Sequence, residues 1–365
     1  MTETLARPGL RLTASDRPGK AQPVPERDVP VRPWGPILWA ALLLGTLLIA
    51  AWEWNWRAFG VAPTYRNSDG AWAEQRERID RGEGDATVLI GSSRLLFDVQ
   101  LPVWERITGK RPIQLALEGS SPMMFLEDLA KDPDFTGTLV IGVTPGLFFS
   151  GRTLRADALA HYHTRGPSQR SGHWLSKHLL EPWLAFHDPD YALATVIERM
   201  DWPARSGLKQ FPSVRRLSLM DADRNTWLWD KIRTDAAYGD IVRGTWAAFS
   251  SRPPRQGGPA PQTGFDAQIA RAVAAVSTLR ARGVKLVFVR APSIDPLYAV
   301  EQRDFPRQQT WDRLLERTGV PGIHFEDHAE LQGHESPEWS HLSARAANDF
   351  TAALVPLVET ALEPR

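Results

Sequence analysis

Two short stretches at opposite ends of the chain carry residue types that can do acyl chemistry. The first is Val88-Leu89-Ile90-Gly91-Ser92-Ser93-Arg94, an apolar run that breaks at Gly-Ser-Ser. A serine at the carboxyl end of a buried strand sits on a tight turn, exposed at the sheet edge. The amides that follow it open a helix and can donate to an oxyanion. The second stretch is Glu335-Ser336-Pro337-Glu338-Trp339-Ser340-His341-Leu342-Ser343. A loop histidine with an acid three residues earlier can be oriented through Nδ1 while Nε2 stays free. That is the base-and-orienter half of a serine triad. Each stretch alone also has an ordinary explanation, because Gly-Ser-Ser is common in turns and a lone histidine is more often a surface residue.

Composition removes several other chemistries. There is no cysteine, so a disulfide framework, a thiolate zinc site and a cysteine nucleophile are excluded. Lys plus Arg and Asp plus Glu both count 43, and this balance gives no reason to expect nucleic acid as a partner. His324, Glu326, Asp327, His328 and His334 invite a metal, but their spacing matches no ligand motif, so none is expected. The same holds for His161-Tyr162-His163. No glycine-rich phosphate loop is present and no cofactor is expected.

The elements that must position these residues follow from apolar runs bounded by turn residues. Such runs fall at 87–90, 113–117, 139–143, 285–289 and, more faintly, 322–325. They read as fully buried strands. Between them, Ile269, Val273, Val276 and Leu279 recur at helical spacing before Gly283. Ser343 is placed to cap a helix through Ala346, Phe350, Leu354 and Leu357. Strand and helix alternation of this kind predicts an α/β fold, a doubly wound, mostly parallel sheet whose ligands bind beyond the carboxyl ends of the strands. Residues 85–150 and 265–365 are its two parts, preceded by a linker or helix at 57–84. Residues 151–264 break the rhythm. They hold six of the 15 tryptophans (Trp174, Trp183, Trp202, Trp227, Trp229 and Trp246) and close on a Pro/Gly-rich loop at 252–259. They read as a mainly helical insertion beside or over the site, with its tryptophans as core in preference to a carbohydrate platform.

The N-terminal part has a different character. Residues 1–32 are rich in Pro and Arg and read as a disordered arm. Residues 33–56 read as a transmembrane helix, with no charge from Pro33 to Trp52 and with Trp34 at one end and Trp52, Trp54 and Trp56 at the other. A buried core helix or a cleaved signal peptide would also be apolar. The Pro/Arg-rich flank argues against the first, and the missing small-residue cleavage site against the second. The arm carries six basic residues, Arg7, Arg11, Arg17, Lys20, Arg27 and Arg32, which place the N-terminus in the cytoplasm and the rest outside.

Taken together, the two stretches resemble the SGNH/GDSL hydrolases. In that family an early strand ends in Gly-Asp-Ser, and an Asp-x-x-His pair lies near the C-terminus. Here Gly91-Ser92-Ser93 and Glu338-Trp339-Ser340-His341 match those blocks. Leu115-Ala116-Leu117-Glu118-Gly119-Ser120-Ser121 resembles the block whose glycine amide serves the oxyanion hole. The resemblance covers about residues 85–150 and 265–360. It implies Ser93 as nucleophile, His341 as base and Glu338 as orienter, with the Ser93 and Gly119 amides and Thr144 around the oxyanion. Three departures stand out. Ser92 and Glu338 each replace an Asp, and Thr144 stands where the family's oxyanion asparagine belongs. Arg94 and Arg290, at strand ends, could bind an anionic substrate group, or could pair with Glu118 or another acid. The implied activity is acyl-ester hydrolysis or O-acyl transfer on acylated envelope carbohydrate, from a single-pass anchor in the cytoplasmic membrane, a setting in which such proteins often work beside a multi-spanning acyltransferase. The alternative is a non-enzymatic accessory of polysaccharide machinery on the same fold.

Overall fold

The computed structural model describes residues 32–150, 155–200, 215–250 and 262–363. The expected arm (except Arg32), Trp202 and the loop at 252–259 lie outside these residues. The chain divides into two units, Met1–Trp54 and Asn55–Arg365. A single helix, Trp34–Ala58, runs through the first and ends in the second, and none of its residues is buried. It is long and apolar enough to cross a membrane.

The second unit is built on a parallel sheet. Its strands are β1 (Thr87–Ile90), β2 (Ile113–Gln114), β3 (Thr138–Gly142), β6 (Lys285–Arg290) and β7 (Gly322–His324), in the order β2-β1-β3-β6-β7. Every pairing in it is parallel. β2 is shorter than the apolar run 113–117, yet that run still follows β1: Leu115 N–H donates to Leu89 at 2.8 Å and Leu117 N–H to Gly91 at 3.0 Å.

Apolar runs without alternation belong to sheets covered on both faces, and the side chains divide accordingly. Val88, Ile90, Leu139, Ile141, Leu286 and Phe288 enter one core. Leu89, Val140, Val287, Val289 and Ile323 enter the other. Successive residues of a strand point to opposite faces, so β1, β3 and β6 each feed both cores, while β2 adds Ile113 to the first and β7 adds Ile323 to the second. Helices Asp69–Arg78, Met123–Lys131, Gln262–Ala281 and Trp311–Thr318 cover the first face through Trp72, Phe125, Ile269 and Leu314. Helices Ser93–Asp98, Leu101–Thr108 and Ala344–Leu362 cover the second.

The stretch read as an insertion also joins the second core, through Tyr191, Trp229, Tyr238 and Val242. It contains helices at Ala156–Thr164, Pro167–Leu175 and Ala236–Ser250. It also contains an antiparallel hairpin, β4 (Ser218–Met220) with β5 (Thr226–Leu228), which the sequence reading had not placed.

Where β1 and β3 end, Gly91 and Gly142 approach Leu95. A Cβ on either glycine would lie 2.8 Å from the Leu95 Cβ. Only glycine lets the helix that begins at Ser93 pack this closely on the strand ends.

Candidate functional site

β1 delivers Ser93 as the first residue of helix Ser93–Asp98. The C-terminal helix, capped by Ser343 accepting from Ala346 N–H at 3.3 Å, holds the loop that carries His341. These two segments, 248 residues apart, meet: His341 Nε2 lies 2.8 Å from Ser93 Oγ. His341 Nδ1 lies 2.8 Å from Glu338 Oε1. The structure therefore joins Ser93, His341 and Glu338 in one chain of hydrogen bonds.

The acid end of this chain is fully paired. Glu338 is wholly buried, and a buried carboxylate needs donors on both oxygens. Oε1 accepts the His341 ring N–H and also the His341 backbone N–H, the latter at 2.6 Å. Oε2 accepts the Trp246 indole N–H. For Glu338 to fold back onto His341, Trp339 adopts a left-handed backbone with φ of 73°. Such a conformation in a bulky residue costs on the order of 1–3 kcal/mol and persists only where its surroundings hold it. Arg243 donates to the Pro337 carbonyl at 3.1 Å and ties the same loop to the Trp246 helix.

Phe97 packs its ring against the imidazole of His341, with centroids 4.6 Å apart. Asp98 is completely buried, and its Oδ1 accepts the Leu342 N–H at 2.9 Å. Burial pushes the Asp98 carboxyl up to about 7, although the neighbouring His341, the Leu342 N–H and Arg94 all favour its charged form. A carboxyl so placed changes its charge beside His341 near neutral pH.

Gly119, which the family resemblance assigns to the oxyanion hole, has φ of 67°, a left-handed backbone that favours glycine. Its loop is anchored by Arg224, a buried guanidinium from the β4–β5 turn. Arg224 donates to the carbonyls of Gln114 at 2.6 Å and Ala116 at 2.8 Å, and to Asn67 Oδ1 at 2.8 Å. Asn67 in turn donates to Glu118, which Arg155 approaches at 3.5 Å. Thr144, at the end of β3, shares a 2.5 Å hydrogen bond with Ser92 Oγ. If Ser92 donates, the Thr144 proton is left to point at a developing oxyanion. Thr144→Val is then expected to lower the rate roughly 10²-fold with little change in KM, because one oxyanion donor is worth about that much. Steady-state kinetics check this, and an unchanged kcat would remove Thr144 from the oxyanion site.

Arg94 and Arg290 are engaged with an acid. Both are buried, and both pair with Glu301: Arg94 Nη2 at 2.6 Å from Oε1, and Arg290 on Oε2, which also accepts the Ser293 hydroxyl at 2.7 Å. Burial alone would raise the Glu301 carboxyl, but the two guanidiniums outweigh it and hold the group at about 2. Of the two alternatives for these arginines, the structure shows the pairing with an acid, a buried ion pair that ties the Ser93 helix to Glu301. The acid is Glu301, not Glu118.

A cavity of about 380 Å³ reaches Phe97, the residue packed on His341, and is lined also by Glu118, Asn67, Arg155, Asp188 and Arg216 but by none of Ser93, His341 and Glu338. Among the described residues, no cluster of His, Asp and Glu is arranged to hold a metal. Trp246 and Arg224 were not singled out from the sequence. No local signal marks them, since their partners lie 92 and 110 residues away along the chain.

No protein-family model matches the sequence. No curated protein matches it either.

Proposed function

We propose that this protein is a serine acyl-ester hydrolase or O-acyltransferase of SGNH/GDSL type. One observation carries the reading: the continuous Ser93–His341–Glu338 relay, with both nitrogen-to-oxygen distances at 2.8 Å. The sheet order, with β2 on one side of β1 and β3, β6 and β7 in chain order on the other, is also that of flavodoxin-like doubly wound folds. In the proposed reaction Ser93 Oγ attacks the ester carbonyl carbon while His341 Nε2 takes the hydroxyl proton. The tetrahedral intermediate collapses by expelling the alcohol, which takes that proton back from the imidazolium. The resulting acyl-serine is released by water in hydrolysis, or by another hydroxyl in transfer, with His341 again as base. The Ser93 and Gly119 amides and the Thr144 hydroxyl face the oxyanion in this scheme.

The accessory alternative rests on the missing oxyanion asparagine at Thr144 and would gain from a relay that had come apart; the 2.8 Å contacts weigh against it. The cavity beside Phe97 has Asn67, Arg155, Asp188 and Arg216 in its wall, groups able to bond sugar hydroxyls, and its volume is in the range of small-ligand sites. The apolar N-terminal helix would hold the domain on the outer face of the cytoplasmic membrane, where acylated envelope carbohydrate is the substrate. A multi-spanning acyltransferase would be the natural partner. Incubating the full chain with a fluorophosphonate tests the chemistry. Covalent labelling is expected at Ser93, found by peptide mass mapping, and lost when His341 is replaced. No adduct at Ser93 in folded protein sinks the enzyme reading.

A further inference from the structure

The helix Pro167–Leu175, continued through a π-helical turn at Ser176–Leu180, is turned inside out. Its inward face is polar. His173 and Lys177 are each only 13% exposed and both contact Glu74, at 3.0 and 2.7 Å. Ser176 donates to Glu181 at 2.7 Å. From Trp174 onward its outward side carries an apolar patch: Trp174 is 54% exposed, Leu175 48%, Leu179 55%, and Trp183 just beyond is 67% exposed. A water-facing helix has the opposite pattern, and a contiguous apolar patch of this kind marks an interaction surface.

The position of the patch identifies what covers it. Arg57 Nη2 donates to the Trp183 carbonyl at 2.8 Å. Arg57 lies in the last turn of the apolar helix Trp34–Ala58, three residues beyond Trp54. A bilayer core of about 30 Å takes up about 20 residues of helix. If the uncharged stretch from Pro33 to Trp52 fills that core, Arg57 lies in the headgroup layer. Trp183, bonded to it, lies there too.

We infer that the face formed by Trp174, Leu175, Leu179 and Trp183 rests in the interfacial layer of the lipid bilayer, as a second, in-plane contact beside the membrane-spanning helix. A helix lying in the interface buries just such Trp and Leu side chains among headgroups and upper acyl chains. This inference needs the membrane helix and does not depend on the chemistry at Ser93.

The absence of cysteine makes the test direct. Leu175→Cys, Leu179→Cys and, as a control on another exposed surface, Glu316→Cys are made in the full chain. Each carries a nitroxide and is reconstituted in vesicles of phosphatidylethanolamine and phosphatidylglycerol. Electron paramagnetic resonance then compares collision with oxygen, which concentrates in lipid, and with a water-soluble nickel chelate. The depth parameter is expected to be positive at 175 and 179 and negative at 316. Negative values at all three positions overturn the inference. So do labels shielded from both reagents, which indicate a protein cover, and dipolar broadening between labelled chains, which indicates a second copy. Unlabelled protein gives a check free of the substitutions: brominated lipid should quench its tryptophan fluorescence more than that of the Trp174→Phe/Trp183→Phe variant. Equal quenching of the two also overturns the inference.

Discussion

Ser93→Ala and His341→Ala are each expected to lower ester turnover by roughly 10⁴–10⁶-fold, and the double variant to lose little more than either alone. Members of a triad act as one unit, so removing one leaves the others with nothing to do, and the residual rate comes from the oxyanion donors and binding. The structure sharpens this expectation. His341 Nε2 has Ser93 Oγ as its partner at 2.8 Å, and Phe97 packs at a 39° tilt against the ring with centroids 4.6 Å apart, so the imidazole is held toward the Ser93 hydroxyl. Ser92 is the nearest other candidate, but it is buried and its hydroxyl is engaged with Thr144 at 2.5 Å. The measurement is the initial rate on an acetyl ester, with an acetylated oligosaccharide as the second substrate. Near-normal turnover by Ser93→Ala would reject the nucleophile. Additive losses in the double variant would mean that the two residues work separately.

The parts of this architecture that could be read from the sequence are those written locally. The strands at 87–90 and 285–289 were legible because burial on both faces leaves an uninterrupted apolar run. Ser93 and His341 were legible because each sits where a regular element begins or has just ended, and because their order matched a known pattern. The pairing of Arg94 and Arg290 was left open, because Glu301 comes from a different helix and nothing near either arginine announces it. The β4–β5 hairpin was missed for a similar reason. Its strands have three residues each, too few to set up an alternation, and Arg224 takes a left-handed turn conformation (φ 68°) that sequences more often give to glycine. The insertion was seen as a break in rhythm, but its work was not. Arg224 holds the Gly119 loop and Trp246 holds Glu338, both across long chain separations. Such contacts are set by how the second face of the sheet is covered, which no short window of sequence contains.

The Trp246–Glu338 contact leads to the second large effect. From the sequence alone, Glu338→Gln would look mild, since an amide oxygen can still accept from the imidazole. The structure changes that expectation. All three groups that Glu338 meets are donors: the His341 ring N–H, the His341 backbone N–H and the Trp246 indole N–H. A glutamine that keeps its oxygen on His341 must turn its NH₂ toward the indole, donor against donor, in a buried pocket. Leaving one buried donor unpaired costs about 1–3 kcal/mol. The opposite flip satisfies the indole but sets NH₂ against His341, which favours the wrong imidazole tautomer and lowers the rate by about 10⁴ in the comparable triad substitution. Glu338→Gln is therefore expected to lose stability, activity or both, according to which flip prevails. Trp246→Phe removes the indole donor at little cost in volume. In the Glu338→Gln/Trp246→Phe variant the amide is free to keep its oxygen on His341, and part of the lost stability and rate should return. Thermal unfolding and kcat measured over the full double-mutant cycle decide this. A double variant no better than Glu338→Gln alone would show that Trp246 does not govern how the acid is held.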